Sequence, residues 1–202
     1  VTDMSWMFSR SRYNCPLESW DVSNVQNMSF MFSLSVYTLP LNGWSRRLSR
    51  VTNMSGMFNR SAYNHSLNNW DVSNVTDMSL MFSNSKYNQA LKDWDVSSVT
   101  TMYWMFKESK FNRPLANWGN KLTALTNTGG MFERSVYNWP LQSWQVGTVI
   151  NMARMFESSL YNHSLEGWDV SKVTNMRNMF ESSVYNFPLE SWDVSSVKDM
   201  TG

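Results

Sequence analysis

The dipeptide Met-Phe returns eight times along this chain, at Met7-Phe8, Met31-Phe32, Met57-Phe58, Met81-Phe82, Met105-Phe106, Met131-Phe132, Met155-Phe156 and Met179-Phe180, with spacings of 24 or 26 residues. A fixed period in this range marks a repeat array. Each unit is one small supersecondary piece that cannot bury its apolar face alone and relies on its neighbours to cover it.

Aligning the copies gives columns that hardly vary. Trp20, Trp44, Trp70, Trp94, Trp118, Trp144, Trp168 and Trp192 form one column, and Leu17 through Leu189 form a second. A third holds serine in every copy from Ser11 to Ser183, and all 5 prolines fall just before the leucine. All 16 methionines lie in the two Met positions of MxxMF, with Thr128 the one substitute. The high Met and Trp content is therefore architectural and is not the signature of a cofactor.

Within a unit, Met176, Met179, Phe180 and Ser183 stand at i, i+3, i+4 and i+7, which predicts one face of a short helix of about two turns. Asn or Asp precedes the first Met in nearly every copy (Asn27, Asn53, Asp77, Asn127, Asn151, Asn175, Asp199; Thr101 once), as expected of an N-cap. The WDVS segment before it predicts a tight turn stabilised by the Asp or Ser side chain. The segment after the helix, YNxPL or YNxSL, is the strand candidate. It carries a conflict, because its x column is Cys15, Leu39, His65, Gln89, Arg113, Trp139, His163 and Phe187, a variety that suggests exposure. Proline beside it cannot donate to a ladder, so the strand must be very short or bulged. The Asn column (Asn14, Asn64, Asn88, Asn112, Asn138, Asn162, Asn186, with Thr38 the exception) reads as an internal ladder satisfying turn backbone from rung to rung.

The expected fold is an α/β solenoid, a leucine-rich-repeat-like stack of about eight units. Each unit would be a short strand, a turn and a short helix, with a parallel sheet along one side. Rungs about 4.8 Å apart would make it roughly 40 Å long. The array fills residues 1–202 as a single domain, and both ends stop in register with the repeat and without the polar caps such stacks need, so a segment of a longer protein is expected.

A net charge of +1 with 16% charged residues argues against a nucleic-acid surface, and Arg46, Arg47 and Arg50, clustered in the first of two two-residue insertions, read as a solvated loop. No apolar run approaches a membrane span. The one cysteine, Cys15, makes no intrachain disulfide. No enzymatic constellation emerges, and no cofactor or metal is expected. His65 and His163 lie four repeats apart, roughly 19 Å, too far to share a metal. The row Asp21, Asp71, Asp95, Asp169 and Asp193 is interrupted by Ser45, Gly119 and Gln145 and reads as turn capping rather than calcium ligation.

Binding is the more productive expectation. The residue two after the first Met lies about 200° round the expected helix from it. That column reads Trp6, Phe30, Gly56, Leu80, Trp104, Gly130, Arg154 and Asn178, so bulky apolar groups would project outward along the first half. Trp6, Phe30, Leu80 and Trp104 are the candidate partner-binding residues, with Trp139 and Phe187 of the variable column beside them. The competing reading is that these side chains fold over neighbouring units. Among several Asn-x-Ser/Thr sequons, Asn59 and Asn74 stand in columns that look exposed and are the glycosylation candidates.

The recurring WDVSNVTDMSLMF followed by YNQAL resembles the BspA-like bacterial surface protein repeats, also described as the mycoplasma lipoprotein repeat of unknown function. The resemblance spans the whole chain. Where that family usually shows Phe-Asn this chain mostly has Tyr-Asn, a mild departure, with Phe111-Asn112 the one copy in the family form. The resemblance implies a leucine-rich-repeat-like solenoid on an extracellular or cell-surface protein, with roles in adhesion and protein interaction and no catalytic residues to carry over. The expected function is thus a non-enzymatic interaction or adhesion scaffold whose partner is a protein or another copy of itself. The alternative is a structural component of a surface filament or coat assembling through uncapped ends. A glycan binder using Trp104, Tyr103 or Trp139 is a third reading.

Overall fold

The computed structural model describes all residues, Val1–Gly202. Neither expected element forms. The only helices are two 3₁₀ turns, Asn42–Trp44 and Ala116–Lys121, one in each of the two longer repeats. No repeat contains a strand. Consecutive repeats touch through single parallel bridges in the capping column, Asp3↔Asn27, Asn27↔Asn53 and onward to Asn175↔Asp199, and an isolated bridge is not a ladder. The expected α/β solenoid with a parallel sheet is therefore corrected to a stack of turn-built rungs. No helix is long and apolar enough to cross a membrane.

The backbone of the fourth repeat shows why MxxMF is not helical. Met78, Leu80, Phe82 and Asn84 donate their N–H groups to Thr101, Tyr103, Met105 and Lys107 of the next rung at 2.7–3.1 Å. The intervening Met81, Ser83 and Ser85 donate locally to Met78, Leu80 and Phe82, and Ser79 donates to the Asp77 carboxylate at 2.8 Å. Every amide from 78 to 85 thus has a partner, and none of these is the i−4 carbonyl an α-helix would use. Of 95 backbone hydrogen bonds only 2 lie inside helices, so cohesion comes from turns and rung-to-rung contacts.

Overlapping turns of this kind need a positive φ at the third residue of alternate turns. Two columns supply it in every repeat. Trp6, Phe30, Gly56, Leu80, Trp104, Gly130, Arg154 and Asn178 have φ of 54–60°, and Arg10, Leu34, Arg60, Asn84, Glu108, Arg134, Ser158 and Ser182 have φ of 52–57°. The expected N-cap residues do accept backbone N–H groups, but two residues on, as Asn53 does from Ser55 at 2.9 Å; they cap a turn and not a helix. The WDVS turn forms as expected, with Asp71 Oδ1 accepting from Ser73 N–H at 3.2 Å.

The core follows the columns. Buried Met, Phe, Tyr, Leu, Trp and Val side chains make one continuous cluster along the stack. Phenylalanines of successive rungs stack at 5.6–5.9 Å with planes within 10°, from Phe8 to Phe180. From Trp44 to Trp192 each indole N–H donates to the leucine carbonyl of the preceding repeat at 2.8–3.4 Å, so a buried polar group is satisfied by the same contact that sets the register. The Asn ladder is present: Asn64, Asn88, Asn112, Asn138 and Asn162 each accept from the backbone N–H of the next Asn at 2.8–3.2 Å. It lies at the surface and not inside the stack as expected, because the core is filled by the apolar columns. In the longer repeats a basic residue three after the Trp reaches back to the previous rung, Arg47 to Trp20 O at 2.9 Å and Lys121 to Trp94 O at 3.1 Å.

Candidate interaction site

Left-handed backbone at two positions four residues apart turns both side chains away from the core, and rung stacking lines them up into two outward columns. Between repeats one and five these columns enclose a groove of about 430 Å³. Trp6, Phe30, Leu80 and Trp104 come from one column and Arg10, Leu34, Arg60, Asn84 and Glu108 from the other. The floor is Ser9, Ser33, Asn59, Ser83 and Lys107, of which Ser33 and Ser83 are buried.

The candidate aromatics meet different fates along this groove. Trp6 is 56% exposed, but one face lies flat on Phe30, with centroids 4.3 Å apart and planes 8° apart. Phe30 in turn lies over Gly56: a Cβ there would sit 2.2 Å from Phe30 Cε1. Trp104 covers Gly130 in the same way, its Cδ1 occupying the place a Cβ would need at 2.1 Å. Its indole N–H donates to Glu133 Oε2 at 3.0 Å, Tyr103 stacks on it at 4.4 Å, and the Lys107 ammonium lies 4.3 Å above its ring. Lys107 also pairs with Glu133 Oε1 at 2.7 Å, with the Glu133 side chain 2% exposed. This cluster closes the groove at its far end. The bulky side chains of this column are thus folded onto the next rung as well as lining an outer surface.

Trp139 and Phe187 lie elsewhere, in the variable column, exposed at 42% and 40%. That column leans on the Asn ladder: Arg113, Trp139 and His163 each contact the Asn carbonyl of the preceding repeat at 2.9–3.2 Å. His65 and His163 pack edge-on against Tyr63 and Tyr161. No group of three or more His, Cys, Asp or Glu side chains gathers in a geometry that could hold a metal ion. Of the two sequon asparagines, Asn59 is half-buried on the groove floor and donates to Ser83 O at 3.3 Å, whereas Asn74 is exposed and donates to Ser49 O at 2.8 Å.

The geometry of the invariant columns is that of a repeat family, and a family match spans the chain. Residues 1–60, 40–136 and 121–202 each match the family described as Mycoplasma protein of unknown function, DUF285. The chain belongs to that family. No curated protein and no solved structure matches it.

In this DUF285 chain the sequence-based reading found one wall of the groove and missed the other. The second column, from Arg10 to Ser182, looks like ordinary polar surface until the backbone sets it beside the first. A signal was nevertheless present: Gly56, Gly130, Asn84 and Asn178 stand in the two columns, and these residue types tolerate positive φ.

Proposed function

We propose that the chain is a non-enzymatic interaction scaffold of the extracellular or cell-surface kind, related to the BspA-like repeats that its sequence resembles. One observation carries this reading: side chains that recur from rung to rung point inward or are used in rung-to-rung hydrogen bonds, whereas those that vary stand on the outside, in the groove columns and in the column of Trp139 and Phe187. The Trp column donates to the Leu carbonyls and the Asn column accepts from the backbone N–H of the next Asn, so these residues maintain the stack. Trp6, Arg10, Leu34, Arg60, Leu80 and Asn84 differ from one rung to the next and face the groove. A rigid stack carrying a changeable surface suits recognition better than chemistry, since recognition needs only fixed spacing between different side chains.

The test is retention on an array of extracellular-matrix proteins and cell-surface polysaccharides, comparing the chain with a Trp6→Ser, Leu80→Ser, Asn84→Ala variant of unchanged circular dichroism. The reading expects at least one component to be retained and its binding to fall at least about tenfold in the variant. Retention of nothing, or binding indifferent to these substitutions, would overturn it.

A further inference from the structure

We infer that the groove of repeats one to five takes a linear acidic polysaccharide laid along the stack axis. The inference rests on the scaffold reading and names the partner's chemistry. The first observation is a strip of free cations. Arg10 and Arg60 stand on the groove wall, and Arg12, Lys86 and Lys110 stand two residues beyond that wall's column; all five are exposed. The chain's 3 ion pairs involve Lys107, Arg134 and Arg154, so none of the five is neutralised by a carboxylate. Glu108 is the one acid in this part of the two columns, and Arg134 lies 3.8 Å from it. Past the Trp104–Lys107–Glu133 cluster the cations of the two columns, Arg134 and Arg154, are each paired with a glutamate, and the positions two beyond the wall are Val136, Leu160 and Val184, so the strip of free cations ends where the groove ends. A net charge of +1 for the whole chain conceals it. Over four rung intervals of about 4.8 Å the strip runs roughly 19 Å, a length that suits a linear polyanion.

The second observation is backbone strain. Arg10 and Arg60 hold φ of 56° and 53°, a conformation in which glycine or asparagine would be more stable. The fold imposes that conformation on the whole column, Leu34, Glu108 and Ser158 included, so an arginine there gains nothing from the backbone. A residue that sits against its own backbone preference points to a use for its side chain.

The rest of the groove selects among polyanions. Single-stranded nucleic acid needs open aromatic faces for base stacking. Here Trp6 has one face on Phe30, Phe30 lies between Trp6 and Gly56, and Trp104 is covered by Tyr103 and Lys107. An acidic peptide would bind by adding a strand or filling apolar pockets. The rung amides along this face already donate to the next rung, and the floor is serine and asparagine apart from Lys107, which is paired with Glu133. Hydroxyl and amide groups below a rim of cations are matched by a chain rich in hydroxyls with carboxylates at intervals.

The experiment titrates the chain with an oligogalacturonate long enough to span five rungs, and in parallel with neutral dextran, poly-L-glutamate and a single-stranded oligodeoxynucleotide. Binding to oligogalacturonate that weakens with added salt, and exceeds the other three at least about tenfold, is expected. In Arg10→Gly, Arg60→Gly that binding should fall at least about tenfold while thermal stability holds or rises, because glycine suits both positions. Ser158→Gly, in the same strained column outside the groove, should leave binding unchanged. Absence of oligogalacturonate binding, equal binding of dextran, poly-L-glutamate or the oligonucleotide, or full affinity in the double variant would each overturn the inference. If the array still retains a protein through Trp6 and Leu80, the scaffold reading survives that failure; if it retains nothing, both fall.

Discussion

Leu34 and Arg60 sit in left-handed backbone that costs an L-residue roughly 1–2 kcal/mol, while glycine's greater freedom in the unfolded chain costs roughly 0.5–1 kcal/mol. Arg60→Gly should therefore raise stability by up to about 1 kcal/mol in urea denaturation, and a lowered midpoint would contradict the assignment. Gly56 is the opposite case. Alanine there keeps a φ of 59° and drives its Cβ into the Phe30 ring, so a loss of about 2–3 kcal/mol is expected. In a Phe30→Ala background the same substitution should cost clearly less, because the clash has gone. Equal costs in the two backgrounds, measured as a double-mutant cycle, would mean that the two residues do not meet.

Each rung is held to the next by side-chain ladders, and these have separable costs. Trp94→Phe removes a buried indole N–H donating to Leu67 O at 2.8 Å, leaves that carbonyl only its bond from Trp70 N–H at 3.0 Å and opens space in the core, for an expected loss of about 2–3 kcal/mol by chemical denaturation. Asn112 acts as an acceptor for Asn138 N–H, so Asn112→Asp should hold near wild-type stability at neutral pH while Asn112→Leu loses about 1 kcal/mol. Equal losses in both variants would assign the ladder a different role. Much of this scale was legible in the sequence: the 24-residue period, the inward columns and the Asn ladder with its gap at Thr38 all appear in the structure. The helix was misread for a physical reason. Residues three and four apart share a side in an α-helix, and they do so equally in a run of overlapping turns that sends Met78, Met81 and Phe82 to one core. Periodicity reports the side-chain face and is silent on whether an amide bonds within its own unit or to the next. Glycine twice in the column of Trp6 was the clue against a helix. The groove was only half legible because its second wall becomes a wall only once both columns are left-handed.

At the scale of the whole molecule, the stacked tyrosines tie stability to alkaline pH. Burial pushes the Tyr63, Tyr87, Tyr137 and Tyr161 phenols well above their ordinary value. The folded chain keeps these protons where the unfolded chain, titrating near pH 10, releases them. Their contribution is thus fully present below about pH 10 and is lost as pH rises beyond it, so urea midpoints should be level from about pH 8 to about pH 9 and fall steeply by about pH 11. A flat profile would mean the phenols are open to water. Repeats cohere through amides bonded to the next rung, the arrangement that creates the outer groove. Through-hydrogen-bond scalar coupling in a deuterated, isotope-labelled sample reads this directly at Phe82. A correlation is expected from the Phe82 amide to the Met105 carbonyl, its partner at 2.9 Å. A correlation to the Met78 carbonyl instead would restore the helix and contradict the stack of turns.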